Sequence, residues 1–165
     1  MPRKDWLAAP EKKPLPKLTN NPPPFVIIHH TYTPACISEA DCIYVARVIQ
    51  QHDMKDLDYD DVSYNFFVAT NGKIYEGRGW EFAGQHTPDY DHKSIGIALI
   101  GDFNHDEPTN QQIEATLKLL DAGLIHNKLA KDYKLVGAKQ VMKTDSPGDK
   151  LYEVIRNWKH WAMME

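Results

Sequence analysis

Apolar residues fall along this chain in short β-branched runs separated by stretches with helical spacing. Residues 25–29, FVIIH, form one such run and predict a buried strand. The stretch 39–55 places Ile43, Ala46 and Ile49 on one face of a helix. Two strand-like runs, YNFFVAT and KIYEG, flank Asn71-Gly72, the strongest short signal for a β-hairpin. SIGIALIG, at 94–101, is apolar throughout and suits a central strand. Thr109 followed three residues later by Gln112 is a capping box. It opens a second helix with Ile113, Leu117, Leu120 and Leu124 on its core face. KLV at 134–136 predicts a short strand, and 149–158 a last helix packing through Leu151, Val154, Ile155 and Trp158. Between helix and hairpin, DLDYDDVS is an acidic loop. Residues 1–24 are rich in Pro, Lys and Asn and end in NNPPP, so they read as an extended lead-in outside the core. The order β, α, ββ, β, α, β, α predicts one α/β domain over 25–165, a central mixed sheet flanked by helices.

Composition narrows the class. With 165 residues, 42% hydrophobic and 25% charged, the chain is long and apolar enough for one globular domain. A net charge of -4 gives no general attraction to nucleic acid or anionic membrane. No apolar run approaches the roughly 20 residues of a membrane span, and MPRKDWLAAPEKK lacks the apolar region of a secretory signal. The two cysteines, Cys36 and Cys42, are either a disulfide or two thiols that simply lie close. A disulfide would close a loop of about seven residues and contribute roughly 2 kcal/mol on the chain-entropy argument.

The first strand ends in His29 and His30. A buried strand that delivers imidazole at its end is a common way to build a metal or catalytic site. Adjacent residues on a strand face opposite ways, so only one of the pair can serve a given site. His29 is the candidate, and His30 is expected to pack.

Six motifs in order, IIHHTYT, the paired cysteines, DVSYNFFVATNGKIYEGRGW, Gly-Gln-His-Thr at 84–87, KSIGIALIGDF and SPGDKLYEVIRNW, resemble the peptidoglycan recognition proteins. These are animal relatives of type-2 N-acetylmuramoyl-L-alanine amidases. The resemblance runs from about residue 6 to 161 and implies that family's fold, a Cys36–Cys42 disulfide, and an extracellular or receptor-ectodomain setting. It also implies muropeptide as the partner, and dimerisation with a like or different receptor of the family, but no nucleic acid.

Catalytic members of that family hold zinc, with three protein ligands and an open position for water. On this sequence the first ligand position is His29 and the helper tyrosine is Tyr64. The second ligand position is Ala138 and the third is Ser146. Alanine has no lone pair, and a neutral hydroxyl is a poor zinc ligand beside a thiolate. The expectation is therefore no enzyme, no metal and no cofactor. The expected ligand-binding residues are His29, Thr31, Tyr59, Tyr64, Arg78, Trp80 and His86. Arg78 is expected to pair with the extra carboxylate of meso-diaminopimelate, since a guanidinium binds carboxylate bidentately.

Two departures from the family pattern bear on this. Asp58-Tyr59 stands where many diaminopimelate binders have Gly-Trp, and Asp53 stands where the family has a histidine, with His52 one place early. The leading reading is a non-catalytic receptor domain for peptidoglycan in innate immunity. The alternatives are an adaptor or decoy acting through protein contacts, and, less favoured, a zinc amidase.

Overall fold

The computed structural model describes residues 1–164. Its five-stranded sheet has the order β3-β2-β4-β1-β5. The strands are β1 (Phe25–His30), β2 (Phe66–Val68), β3 (Ile74–Glu76), β4 (Ser94–Leu99) and β5 (Lys134–Gly137). The hairpin β2–β3 is antiparallel, while β1 runs parallel to β4 and β5, and β2 parallel to β4. The sheet is thus mixed, as the order of elements predicts. The helices are α1 (Glu39–Gln51), α2 (Asn110–Ile125) and α3 (Asp149–Ile155). Among the described residues no helix is long and apolar enough to cross a membrane.

Alternation along the strands sorts the two faces. Val26, Ile28, Ile95, Ile97, Leu99, Phe66 and Val68 pack with Ala115, Leu119 and Leu120 of α2 and with Leu151 and Ile155 of α3. On the other face Phe67, Tyr75, Ala98 and Ile100 pack with Cys42 and Ala46 of α1. That helix covers only the β2–β3 side. Over β1 and β5 the same face has just a small cluster of Ile27, Val136 and Ala138. The part of the sheet that α1 leaves open is where a groove can form.

Both long helices open on a capping box, the one on α2 as predicted. Ser38 and Asp41 form a capping box on α1, and Thr109 and Gln112 one on α2. The Cys36–Cys42 disulfide is present and ties the preceding loop to the first turn of α1. The predicted helix 39–55 departs from α geometry after Gln51. His52–Asp56 forms a π-helical turn, with the Leu57 N–H donating to the His52 carbonyl five residues back at 3.2 Å. The last predicted helix is also shorter, ending at Ile155.

The lead-in differs most from expectation. Residues 1–24 hold Trp6, which is fully buried on a short 3₁₀ turn (Arg3–Trp6) and packs edge-on against Phe67. Its indole N–H donates to the Glu76 carbonyl at 2.9 Å, and Arg3 pairs with the buried Asp61 at 2.9 Å. The proline-rich composition describes the linker well, but one large aromatic inside it is core. The segment also reaches the outer edge of β3, where the Glu76 N–H donates to the Met1 carbonyl at 3.0 Å. At the opposite edge, Leu135 of β5 donates to the His160 carbonyl at 2.9 Å and accepts from the Ala162 N–H at 3.1 Å.

Candidate functional site

His29 lies on the open face of the sheet and His30 on the other, as alternation requires. His30 is buried against Phe103, whose N–H donates to its Nδ1 at 3.2 Å, so its role is packing. His29 is held from two sides. Its Nε2 lies 2.9 Å from the Thr87 hydroxyl, and its Nδ1 lies 3.5 Å from Ser146 Oγ. The same Thr87 hydroxyl is 2.7 Å from Nδ1 of His86. One fully buried hydroxyl therefore bridges two imidazoles, donating to one ring and accepting from the other. Burial lowers the pKa of His29 to about 3, helped by the neighbouring His30, and holds that of His86 well below the ordinary histidine range. Both rings are neutral near pH 7.

The His86 ring lies flat on the sheet because β4 has a glycine beneath it. A Cβ at Gly96 would stand 2.4 Å from the His86 ring. Asp91 fixes the loop above, accepting from the His86 and Thr87 N–H groups at 2.9 and 2.8 Å. Tyr64 completes the cluster, with its ring centroid 5.3 Å from that of His29 and 6.5 Å, stacked, from that of His86. Burial also pushes the Tyr64 phenol well above its ordinary range, so it stays protonated.

These residues line two cavities of about 650 and 450 Å³ that share Thr31, Tyr64 and His86 and so form one groove. Tyr59, His52, Asp53 and Gln85 line the larger part. His29, Tyr32, Thr144, Asp145 and Ser146 line the smaller. Five of the seven predicted ligand residues, His29, Thr31, Tyr59, Tyr64 and His86, are thus brought together. Two are not. Trp80 packs against the main core with its ring 4.7 Å from Phe66 and lines neither cavity. Arg78 is only 4% exposed and lies behind the groove wall. Its Nε donates to Val62 O at 2.7 Å, Nη1 to Ala83 O at 2.9 Å, and Nη2 to Gln85 Oε1 at 2.6 Å.

The two departures near α1 have a structural account. Asp58 has φ +57°, the left-handed region that favours glycine and that aspartate tolerates better than most residues. Its carboxylate meets Lys12 at 3.0 Å, on the exposed side of the loop. The π-helical turn carries both His52 and Asp53 to the groove. The His52 ring pairs with Asp56 at 2.8 Å in solvent, while the Asp53 carboxylate is buried and accepts from the Ser63 N–H at 2.8 Å.

The donor set around His29 does not fit zinc. Ala138 follows Gly137, the β5 partner of Ile28, and presents a methyl group packed with Ile27 and Val136. Ser146 presents a hydroxyl that accepts from the His30 N–H at 3.1 Å. His86 cannot step in, because its free Nε2 is pressed against Gly96. Among the described residues no three His, Cys, Asp or Glu side chains converge to hold a metal.

Thr87, Asp91, Gln85 and Asn65 escaped the sequence reading. Asn65 is fully buried and joins the groove's back wall to the sheet: its Nδ2 donates to Gly79 O and Phe82 O, and its Oδ1 accepts from the Gly96 N–H, each at 2.8 Å. The only signal for Asn65, Gln85 and Thr87 was their place inside the YNF and GQHT motifs, and Asp91 lies outside both.

Comparison with known proteins places this arrangement. The family described as N-acetylmuramoyl-L-alanine amidase matches residues 19–149. Peptidoglycan-recognition protein 1 of Holotrichia diomphalia is 45% identical over 141 residues, 86% of this chain and 72% of its own length. Peptidoglycan recognition protein 1 of Rattus norvegicus is 40% identical over 162 residues, 98% of this chain and 87% of its own. The crystal structure of peptidoglycan recognition protein-LE in complex with tracheal cytotoxin, a monomeric diaminopimelic acid-type peptidoglycan, superposes with a TM-score of 0.97 at 35% identity. It covers 99% of this chain and 96% of that one. The ectodomain complex of proteins LCa and LCx bound to the same cytotoxin matches at TM-score 0.95 and 38% identity, over 98% and 96%.

Proposed function

We propose that this chain, which belongs to the peptidoglycan recognition protein family, is a non-catalytic receptor domain that binds muropeptides outside the cell. The observation that carries this reading is the pairing of an intact groove with a donor set that cannot hold zinc. His29, Thr31, Tyr59, Tyr64 and His86 line a cleft large enough for a sugar with a short peptide, while Ala138 and Ser146 stand where an amidase needs two metal ligands. A neutral His29, fixed through Nε2 by Thr87, keeps Nδ1 toward the groove for a hydrogen bond to an amide or hydroxyl. Tyr64 offers a protonated phenol beside it.

Diaminopimelate is the peptide type this groove suits. Arg78 supplies a guanidinium at the groove's back wall, and relatives solved with tracheal cytotoxin carry a ligand of that type. The disulfide suits an oxidising compartment. Signalling would follow from assembly with a second receptor domain, as the LCa–LCx complex assembles.

Calorimetric titration with one soluble diaminopimelate muropeptide and its lysine counterpart tests this, beside an assay for released stem peptide. Binding that favours the first ligand, without hydrolysis, is the expected result. Stem-peptide release with stoichiometric zinc would overturn the non-catalytic reading. Heat from neither ligand would favour the adaptor reading, which the engagement of Arg78 by the protein's own acceptors supports.

A further inference from the structure

Arg78 is a buried cation without a direct counter-ion. None of the ion pairs among the described residues includes it. A buried charge ordinarily requires a partner of opposite sign. Here four neutral acceptors meet the guanidinium instead: the carbonyls of Val62, Ala83 and, at 3.5 Å, Asp61, and the Gln85 side-chain amide. Asp53, Asp60, Asp61 and Asp91 act on it only at longer range.

Three of these acceptors are backbone groups fixed by the fold. Gln85 is different. It is the one side chain among them, it is exposed, and it lines the groove. Its backbone is pinned, since its N–H donates to Ser63 O at 2.9 Å and the next two N–H groups are held by Asp91. Only the side chain can swing. An amide oxygen on a guanidinium is a weaker partner than a carboxylate, whose bond is charge-assisted on both sides.

We propose that Gln85 is a displaceable cover on Arg78 and a specificity-determining residue of the groove. In the empty groove its carboxamide occupies the Nη2 donor. A carboxylate on the third residue of a bound stem peptide takes that donor, and the Gln85 amide turns out to solvent. An uncharged third residue does not outcompete the amide and leaves the cover in place. This inference rests on the muropeptide reading above and adds to it the residue that sets the threshold between anionic and neutral peptides.

The test compares the unaltered chain with Gln85→Leu and Gln85→Glu, each checked for an unchanged circular dichroism spectrum. The two ligands are a muropeptide with a free diaminopimelate carboxylate and the same molecule with that group amidated. The readout is the ratio of their dissociation constants. Gln85→Leu removes the competing acceptor and should raise preference for the free carboxylate by about three- to tenfold. Gln85→Glu places a carboxylate of the chain itself on Arg78 and should bring the ratio close to one. Equal shifts for both ligands, leaving the ratio unchanged in both variants, would overturn the cover, because that is what a packing role produces. Equal binding of the two ligands by the unaltered chain would overturn it as well. Binding of neither ligand would overturn the receptor reading itself, and the cover with it.

Discussion

Replacing Asn65 with leucine removes three hydrogen bonds that no neighbouring side chain can supply. The Gly96 N–H and the Gly79 carbonyl are buried, and each loses its partner outright, at about 1–3 kcal/mol apiece. The Phe82 carbonyl sits at a half-buried position where water can replace the amide, so its loss costs about 0.5–1.5 kcal/mol. Leucine keeps the branched skeleton of asparagine and is the larger of the two, so no cavity is left. The sum, about 2.5–7.5 kcal/mol, is a large part of the roughly 5–15 kcal/mol that holds a domain together. Urea unfolding at pH 7, followed by circular dichroism and tryptophan fluorescence, measures it. A loss under about 1 kcal/mol would refute the reasoning, since it would mean that the three groups are satisfied without the side chain. Asn65→Asp gives a second check with its own sign. It keeps the acceptor for Gly96 but sets an oxygen against two carbonyls, which favours the neutral acid in the folded chain. The folded chain then binds more protons than the unfolded one. The variant's deficit should shrink as pH falls from neutrality toward the ordinary aspartate value of about 3.9.

Two further outcomes are expected. Burial keeps His29 and His86 neutral in the folded chain, with His29 at about 3; the unfolded chain takes up their protons near pH 6.5, so stability is full above that value and is lost on acidification. His29 contributes a loss of about 2 kcal/mol between pH 7 and pH 5, and His29→Gln should flatten the urea-derived pH dependence by that amount; parallel curves for variant and parent would count against it. Asp53 and Asp91, raised by burial, act with the opposite sign and cancel in that comparison. The double variant Ala138→His with Ser146→Cys supplies the two missing donors, and should retain stoichiometric zinc after dialysis where the unaltered chain does not; failure to retain it would mean that positions 138 and 146 do not converge on His29.

The elements that the sequence made legible are those decided by near neighbours. The capping box at Thr109, the Asn71-Gly72 hairpin and the apolar run of β4 each carry their instruction within a few residues. The groove was legible where resemblance supplied a motif and alternation supplied a direction, as at His29 and Tyr64. Arg78 and Trp80 show the limit. Both sit in YEGRGW, yet which way a side chain turns there depends on Gly79 at φ +75° and on Asn65 fourteen residues earlier, which grips the turn from inside. Trp6 was hidden by its proline-rich surroundings, because its partner, Phe67, is far away in sequence. Thr87, Asp91 and Gln85 have roles that exist only once two loops meet.

The bonds at the two outer strands bear on how this domain behaves beside its own copies. A sheet's last strands offer open rows of N–H and C=O groups, a template on which another chain can add itself. Here Met1 occupies part of that row on β3, and the stretch from His160 to Ala162 occupies part of the row on β5. Opposite ends of one chain act as stoppers on opposite margins of one sheet. A form cut back at either end would keep most of its interior yet acquire a sticky margin. Its first failure would be self-association rather than unfolding.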